Sequence, residues 1–198
     1  MFKRWCKEQK FNNATNLSHV LMDGGVLSVP FDKLNEFHEK YIQAIKAGEE
    51  LFVVEQKSPI YNFFVDIDYK DEKALTMNEI QDICKIICDK VKRHGGKECL
   101  ICVSPPKTAG EYIKTGIHLN WCGFPVNQES ALALREHILV ALSKAKGSID
   151  WNEIIDSSVY GSIQRKTKGS GLRMPWSHKM AKHMPCGGQG CEGCGDKG

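Results

Sequence analysis

What the chain lacks narrows it first. No run approaches the eighteen or so consecutive apolar residues that a membrane-spanning helix needs. The first residues, Met1-Phe2-Lys3-Arg4-Trp5-Cys6-Lys7, carry charge without the apolar stretch of a secretory signal. The expectation is an intracellular protein of the cytoplasm or nucleus with no membrane partner. No internal repeat and no low-complexity region is present, so repeat architectures are set aside. Charge of one sign is scarce too: 27 Lys and Arg against 24 Asp and Glu leave a net +3, which by itself requires no anionic partner. No phosphate-binding loop of a helicase occurs in these 198 residues, so unwinding is not assigned to them.

What is present can bury one good core, since 41% of the residues are apolar and 26% charged, as in ordinary globular proteins. The distribution of charge says more than its sum. From Val159 onward Arg165, Lys166, Lys168, Arg173, Lys179 and Lys182 meet no acid until Glu192. That is a local positive field suited to phosphates, with a basic surface loop as the alternative. Of the nine cysteines, Cys84, Cys88, Cys99, Cys102 and Cys122 sit in apolar or strand-like surroundings, where a small buried thiol is the default. Cys186, Cys191 and Cys194 cluster instead among glycines, a pattern that in an intracellular chain points to metal before disulfides.

Along the chain, residues 1 to 30 read as short extended pieces around an Asp23-Gly24-Gly25 turn. A helix from Pro30 to about Ala47 follows, with Leu34, Phe37, Tyr41 and Ile45 as its apolar stripe. Leu51 to Glu55 reads as a strand, expected to pair as a hairpin with the strand at 61 to 68. Thr76-Met77-Asn78-Glu79 is a capping box opening a helix whose apolar positions are Ile80, Ile83, Cys84, Ile87 and Val91. Strands are expected at 99 to 103 and 116 to 121, and Asn127 caps a helix reaching about Ala145. Irregular alternation of this kind favours an α+β fold, one mixed or antiparallel sheet backed by helices.

Tyr61-Asn62-Phe63-Phe64-Val65-Asp66-Ile67-Asp68-Tyr69 is the stretch that organises the rest. On a strand Asp66 and Asp68 share one face while Val65 and Ile67 point into the core. Two like charges so close are costly unless a cation compensates them, and Mg²⁺ or Mn²⁺ is the simplest candidate. A strand running into a solvated acidic turn is the alternative. Lys114, Gly116 and His118 would also share a face, with Gly116 leaving room for a ligand beside two basic side chains; a structural histidine is the other reading of His118. Asp156, after Ile154-Ile155, could complete a metal site with the first two, or could cap the adjacent Ser157-Ser158 turn. Arg173 and Lys179 bring two cations around a Pro175-Trp176 bend, and together they suit a triphosphate.

Asp-x-Asp after an apolar strand, a small residue two before a strand histidine, a later apolar-Asp and a following Leu-Arg…Ser-x-Lys resemble the ordered motifs of the archaeo-eukaryotic primase superfamily. Within it the chain is most similar to the N-terminal primase-polymerase domain of the primase-helicases of large nucleocytoplasmic DNA viruses. Leu17-Ser18-His19, Asp23-Gly24-Gly25, Val29-Pro30 and Leu172-Arg173-Met174-Pro175 add to the likeness, which covers roughly residues 12 to 182. It implies a primase-like catalytic domain over 1–182 and a Cys-rich segment over 183–198. It further implies two Mg²⁺ or Mn²⁺ ions on Asp66, Asp68 and Asp156, with Lys114, Gly116, His118, Arg173 and Lys179 at the nucleotide. The implied activity is template-directed nucleotidyl transfer on single-stranded DNA from nucleoside triphosphates, with a helicase module as partner in the full-length protein. The segment Gly161 to Ser170 departs from the family pattern, being longer and more basic.

Cys186-x4-Cys191-x2-Cys194 supplies three soft ligands, and His183 or a residue beyond Gly198 could be the fourth of a Zn²⁺ site. A reduced, glycine-rich tail is the alternative. Two other functions compete with the transferase. One is a metal-dependent nuclease or replication initiator, although His118 has no histidine at position 116 to complete the usual paired-histidine motif. The other is a zinc-containing nucleic-acid-binding module whose acidic pair is incidental.

Overall fold

A computed structural model describes residues 1–147 and 149–179. In chain order the elements are α1 (Phe2–Glu8), β1 (His19–Leu21), β2 (Val26–Leu27), a 3₁₀ turn (Phe31–Lys33), α2 (Leu34–Lys46), β3 (Val53–Glu55) and β4 (Tyr61–Asp71). There follow α3 (Met77–Lys92), β5 (Leu100–Val103), β6 (Lys107–Ala109), β7 (Tyr112–Val126), α4 (Gln128–Lys146), α5 (Trp151–Ile154) and β8 (Leu172–Arg173). The class is α+β with antiparallel pairing, as expected, but the strands form two sheets rather than one. The elements form two compact units, Lys57–Ser170 and, among the described residues, 1–56 with 171–179. No helix among the described residues is long and apolar enough to cross a membrane. His183, Cys186, Cys191 and Cys194 lie outside the described residues.

In the unit built on the N-terminal residues, the sheet runs β2-β1-β3-β8. The turn after β1 closes through Leu21 N–H to Gly25 C=O at 2.9 Å, and Gly24 and Gly25 take the positive φ that this tight return demands. Helix α1, where extended pieces were expected, has no side-chain cap. Tertiary contacts hold it: the Phe2 ring lies 5.3 Å from Phe37 and 5.7 Å from Tyr41, and the Glu49 carboxylate accepts the Phe2 N–H at 3.0 Å. An isolated helix of seven residues would not form in water, which is why local pattern did not reveal it. Arg173 on β8 faces Val54 on β3. Ser177 secures that edge, accepting from Val53 N–H at 2.6 Å and donating to Leu51 C=O at 3.0 Å.

His19 is enclosed in this core with 1% of its surface exposed, 4.5 Å from the Phe37 ring, with Nδ1 on Ser18 Oγ and Nε2 unpartnered among the described residues. Burial, helped by the charge of His38, lowers its pKa from 6.5 to about 4. Below pH 6.5 the unfolded chain therefore takes up a proton that the folded chain refuses. The resulting stability is complete above pH 6.5 and falls as pH drops toward 4, by about 3 kcal/mol in all. Urea midpoints from pH 7 to pH 4 check this, and a His19→Phe variant should lose that part of the slope. An unchanged slope in the variant would refute the assignment.

In the Lys57–Ser170 unit the sheet order is β4-β7-β5, with β6 also paired to β7. Its inward face carries Val65 and Ile67 of β4 with Ile117, Leu119 and Trp121 of β7, all essentially inaccessible. Each large apolar side chain so buried is worth roughly 1.5–3 kcal/mol. Thr76 accepts from Glu79 N–H while the Glu79 carboxylate accepts from Thr76 N–H, the expected capping box, and Asn127 Oδ1 accepts from Ser130 N–H at 2.8 Å. Helices α3 and α4 pack on each other, with the expected stripe of α3 buried and Ala131, Leu134, Ile138 and Leu142 buried along α4.

The expected hairpin between β3 and β4 does not form. β3 has both edges filled, by β1 and β8, and β4 pairs with β7 along ten positions. The connector holds Pro59 and none of the Asn-Gly or Asp-Gly chemistry that a tight hairpin needs. β7 is also longer than expected, running from Tyr112 to Val126.

Candidate active site

The register of β4 against β7 sets three facing pairs: Asp66 with His118, Asp68 with Gly116, and Lys70 with Lys114. Because neighbours alternate across a strand, all six belong to one face, opposite the buried Val65, Ile67, Ile117 and Leu119. The expected sharing of faces by Asp66 and Asp68, and by Lys114, Gly116 and His118, is what the strands show. The charges compensate one another: Lys114 Nζ lies 2.5 Å from Asp68 Oδ2, and His118 Nε2 lies 3.2 Å from Asp66 Oδ1. A Cβ placed on Gly116 would meet Ser104 Oγ at 2.8 Å and lie 4.0 Å from Asp68 Oδ1. The room left by the missing side chain is thus taken by the Ser104 hydroxyl, with the Asp68 carboxylate just beyond it.

Asp156 reaches the same neighbourhood through the backbone. Its N–H donates to Asp66 C=O at 3.0 Å, next to an antiparallel bridge between Ile67 and Ile155. Its carboxylate also caps the following turn, accepting from Ser158 N–H at 2.8 Å and from Ser158 Oγ at 2.9 Å. Asp68 and Asp156 line one cavity of ≈ 300 Å³ together with Lys70, Ile154, Asp150 and Glu153. Asp150 and Glu153 were not singled out from sequence, because Asp-x-x-Glu at the mouth of a helix reads as a cap. Asp150 does accept from Asn152 N–H.

Two further residues missed in the sequence position this edge. Arg135 of α4 is 3% exposed; its Nη2 donates to Asn152 C=O at 2.9 Å and to Ile155 C=O at 2.8 Å, and its Nε to Ile155 C=O at 3.1 Å. It therefore clasps the carbonyls just ahead of Asp156. A signal existed, since residue 135 follows Ala131 by four and falls on the buried stripe of α4. Tyr160, fully enclosed, donates its hydroxyl to Phe64 C=O and so ties the 157–160 turn to β4. Burial holds its phenol well above the usual pKa, so it stays a donor.

Hard carboxylate oxygens around an acidic cavity are the donor chemistry that Mg²⁺ or Mn²⁺ takes. Among the described residues, however, no group of three or more His, Cys, Asp or Glu is arranged to hold a metal ion. With the side chains as they stand, Lys114 and His118 each engage one oxygen, of Asp68 and Asp66 respectively, and Ser158 engages both of Asp156. Arg173 and Lys179 belong to the other compact unit, Arg173 within β8 and Lys179 six residues further on.

The fold is consistent with an archaeo-eukaryotic primase (AEP) domain, of a primase-like nucleotidyltransferase superfamily whose families typically use divalent metals. More narrowly, residues 18–185 match the model of the C962R protein N-terminal AEP domain, and the chain belongs to that family. Among curated proteins none matches the chain.

Proposed function

We propose that the chain carries out template-directed nucleotidyl transfer, making or extending primers on single-stranded DNA. The observation that supports this best is the β4–β7 register, which puts Asp66 and Asp68 beside His118 and Gly116 while the Asp156 peptide is bonded to Asp66. Asp66, Asp68 and Asp156 would hold divalent cations. Such ions, when bound, supply the charge neutralisation that activates a 3′-hydroxyl and stabilises departing pyrophosphate. Lys114 and His118 would then leave their carboxylates and donate to the phosphates of the incoming nucleotide. His118 serves as a donor in this scheme and removes no proton. Arg173 and Lys179 belong to the same proposal as the phosphate-binding residues that the family resemblance implies. Zn²⁺ on His183, Cys186, Cys191 and Cys194, and a helicase module as partner, belong to the same proposal.

The deciding assay combines the protein with a single-stranded template, labelled nucleotides and Mg²⁺ or Mn²⁺. Carboxylate-dependent extension products support transfer. Shortened DNA would replace the proposal with a nuclease, and retention of template without chemistry would replace it with a binding module.

Gly116 yields a sharper expectation. Gly116→Val keeps a good strand residue but displaces the Ser104 hydroxyl and places methyl groups beside Asp68. The KM for the nucleotide should rise about tenfold, equivalent to ~1.4 kcal/mol. Ser104→Ala, which removes the nearest contact on that side, should leave KM unchanged. A Gly116→Val enzyme with ordinary KM would show that no ligand enters there.

A further inference from the structure

A second cavity of the Lys57–Ser170 unit, ≈ 400 Å³, shares no lining residue with the acidic one. It lies between residues 57–61, the first turn of α4 and the 161–168 loop, the basic segment that departs from the family pattern. We propose that this cleft binds the phosphate backbone of single-stranded nucleic acid, through Lys57 and Lys168.

The loop is built to present charge. It closes through paired hydrogen bonds between Ser162 and Thr167, at 3.1 and 3.0 Å. Its two ends meet so closely that a Cβ on Gly161 would lie 2.2 Å from Thr167 C=O, and one on Gly169 would lie 2.3 Å from Gly161 N. Gln128 then anchors the loop to α4, donating Nε2 to Tyr160 C=O and Thr167 C=O, each at 2.8 Å. All these ties are made by backbone or neutral groups. Arg165, Lys166 and Lys168 spend none of their charge on them, and none of the three has a carboxylate within ion-pair distance among the described residues. A fold that needed these cations for itself would have paired them.

Lys57 faces the loop from the other wall. It donates to Val159 C=O, sits 5.3 Å from the centroid of the Tyr61 ring, and likewise has no carboxylate partner among the described residues. Burial lowers its pKa to about 8, so the ammonium is largely kept at pH 7 while lacking a counter-charge. Glu129 is the one acid of the lining. It opposes two lysines there, with Arg165 and Lys166 adding to the positive side. Ile163, 53% exposed, and the Tyr61 ring supply apolar wall for a sugar or base edge, and the volume suits a nucleotide-sized group. Lysines contributed by two separate segments of the lining suit successive phosphates of a strand better than the clustered charge of one free triphosphate.

The inference rests on the nucleotidyl-transfer reading only for the identity of the polymer, and binding is measured without chemistry. Fluorescence anisotropy with a labelled oligothymidylate over a range of salt compares the unsubstituted protein with three variants. Lys57→Ala/Lys168→Ala should bind at least about tenfold more weakly, with a salt slope smaller by about 1.4, the loss of two single-strand phosphate contacts. Lys57→Arg/Lys168→Arg should retain affinity. Lys85→Ala/Lys92→Ala, which removes equal charge from the exposed side of α3, should also bind normally. The single exposed change Lys168→Ala, which buries nothing, should show part of the loss whatever happens to the fold of the double variant. Equal affinities for the two alanine pairs overturn the proposal. So does loss of free dTTP binding, by equilibrium dialysis, in a Lys57→Ala/Lys168→Ala protein that still holds the strand. Lysine-dependent binding by a protein that never extends a primer would sink the transferase and leave the cleft standing; extension with normal binding by the lysine variant would do the reverse.

Discussion

Asp66→Ala combined with Asp68→Ala is expected to lower templated nucleotide incorporation by at least about a thousandfold while leaving affinity for single-stranded DNA within about threefold. In phosphoryl transfer the protein contributes mainly placement and charge, and removing one stabilising group at the developing charge already costs roughly 10²–10³ in rate. Two carboxylates of the same face should cost more. The fold should survive, because both side chains are partly exposed and their partners, Lys114 and His118, sit on a strand fixed by ten paired positions. Exposed ion pairs of that kind contribute about 0–1 kcal/mol each. Strand affinity should hold or improve slightly, since two negative charges leave a protein whose proposed phosphate contacts are elsewhere. Single-turnover incorporation and anisotropy on one preparation check both halves. Residual extension at a tenth of the unsubstituted rate would remove these carboxylates from the chemistry, whatever the family does.

Much of this face could be read from residue order because strand alternation is local. Asp66 and Asp68 share a side for the same reason that Val65 and Ile67 share the other, and Lys114, Gly116 and His118 follow suit. Helix starts were legible at Thr76 and Asn127, where the side chain accepts from the N–H three residues further on. Pairing was not legible. β3 and β4 are neighbours in sequence but go to different sheets, a choice made by strands 32 to 119 residues away. Helix α1 depends on Phe37 and Tyr41, and β6 on the length of β7, so neither leaves a local trace. Asp156 was nominated by its apolar prefix; its link to Asp66 is a backbone bond that side-chain identity cannot announce. Asp150 was hidden by its second use as a helix cap, and Glu153 by its place as an acid in the first turn of the same helix. The basic loop was visible as charge alone, since its closure depends on Gly161, Gly169 and the remote Gln128.

Arg135→Met should cost about 3–5 kcal/mol of stability and reduce turnover in the protein that remains folded. The guanidinium supplies three bonds to the carbonyls of Asn152 and Ile155 and one to Asn152 Oδ1, in a setting 3% exposed. A methionine of similar volume leaves those acceptors buried without donors, and breaking such a buried polar cluster from one side has costs in this range. Its acidic neighbour Glu136 is 66% exposed on its side chain and is hydrated without Arg135, so the loss falls on the carbonyls. Those carbonyls end the single turn of α5 and lead directly into Asp156, whose N–H must meet Asp66 C=O. Relaxation there shifts the third carboxylate against the other two, and misplacement of about 1 Å costs on the order of 10²-fold. Turnover should therefore fall with KM for the nucleotide little changed, the mark of a positioning residue. Arg135→Lys should recover part of the stability and little of the turnover, because an ammonium cannot span both carbonyls with the geometry of the planar fork. Urea unfolding gives the first quantity, and steady-state extension below the melting range gives the second. A folded Arg135→Met protein with ordinary turnover would detach Asp156 from the site that its backbone bond to Asp66 now defines.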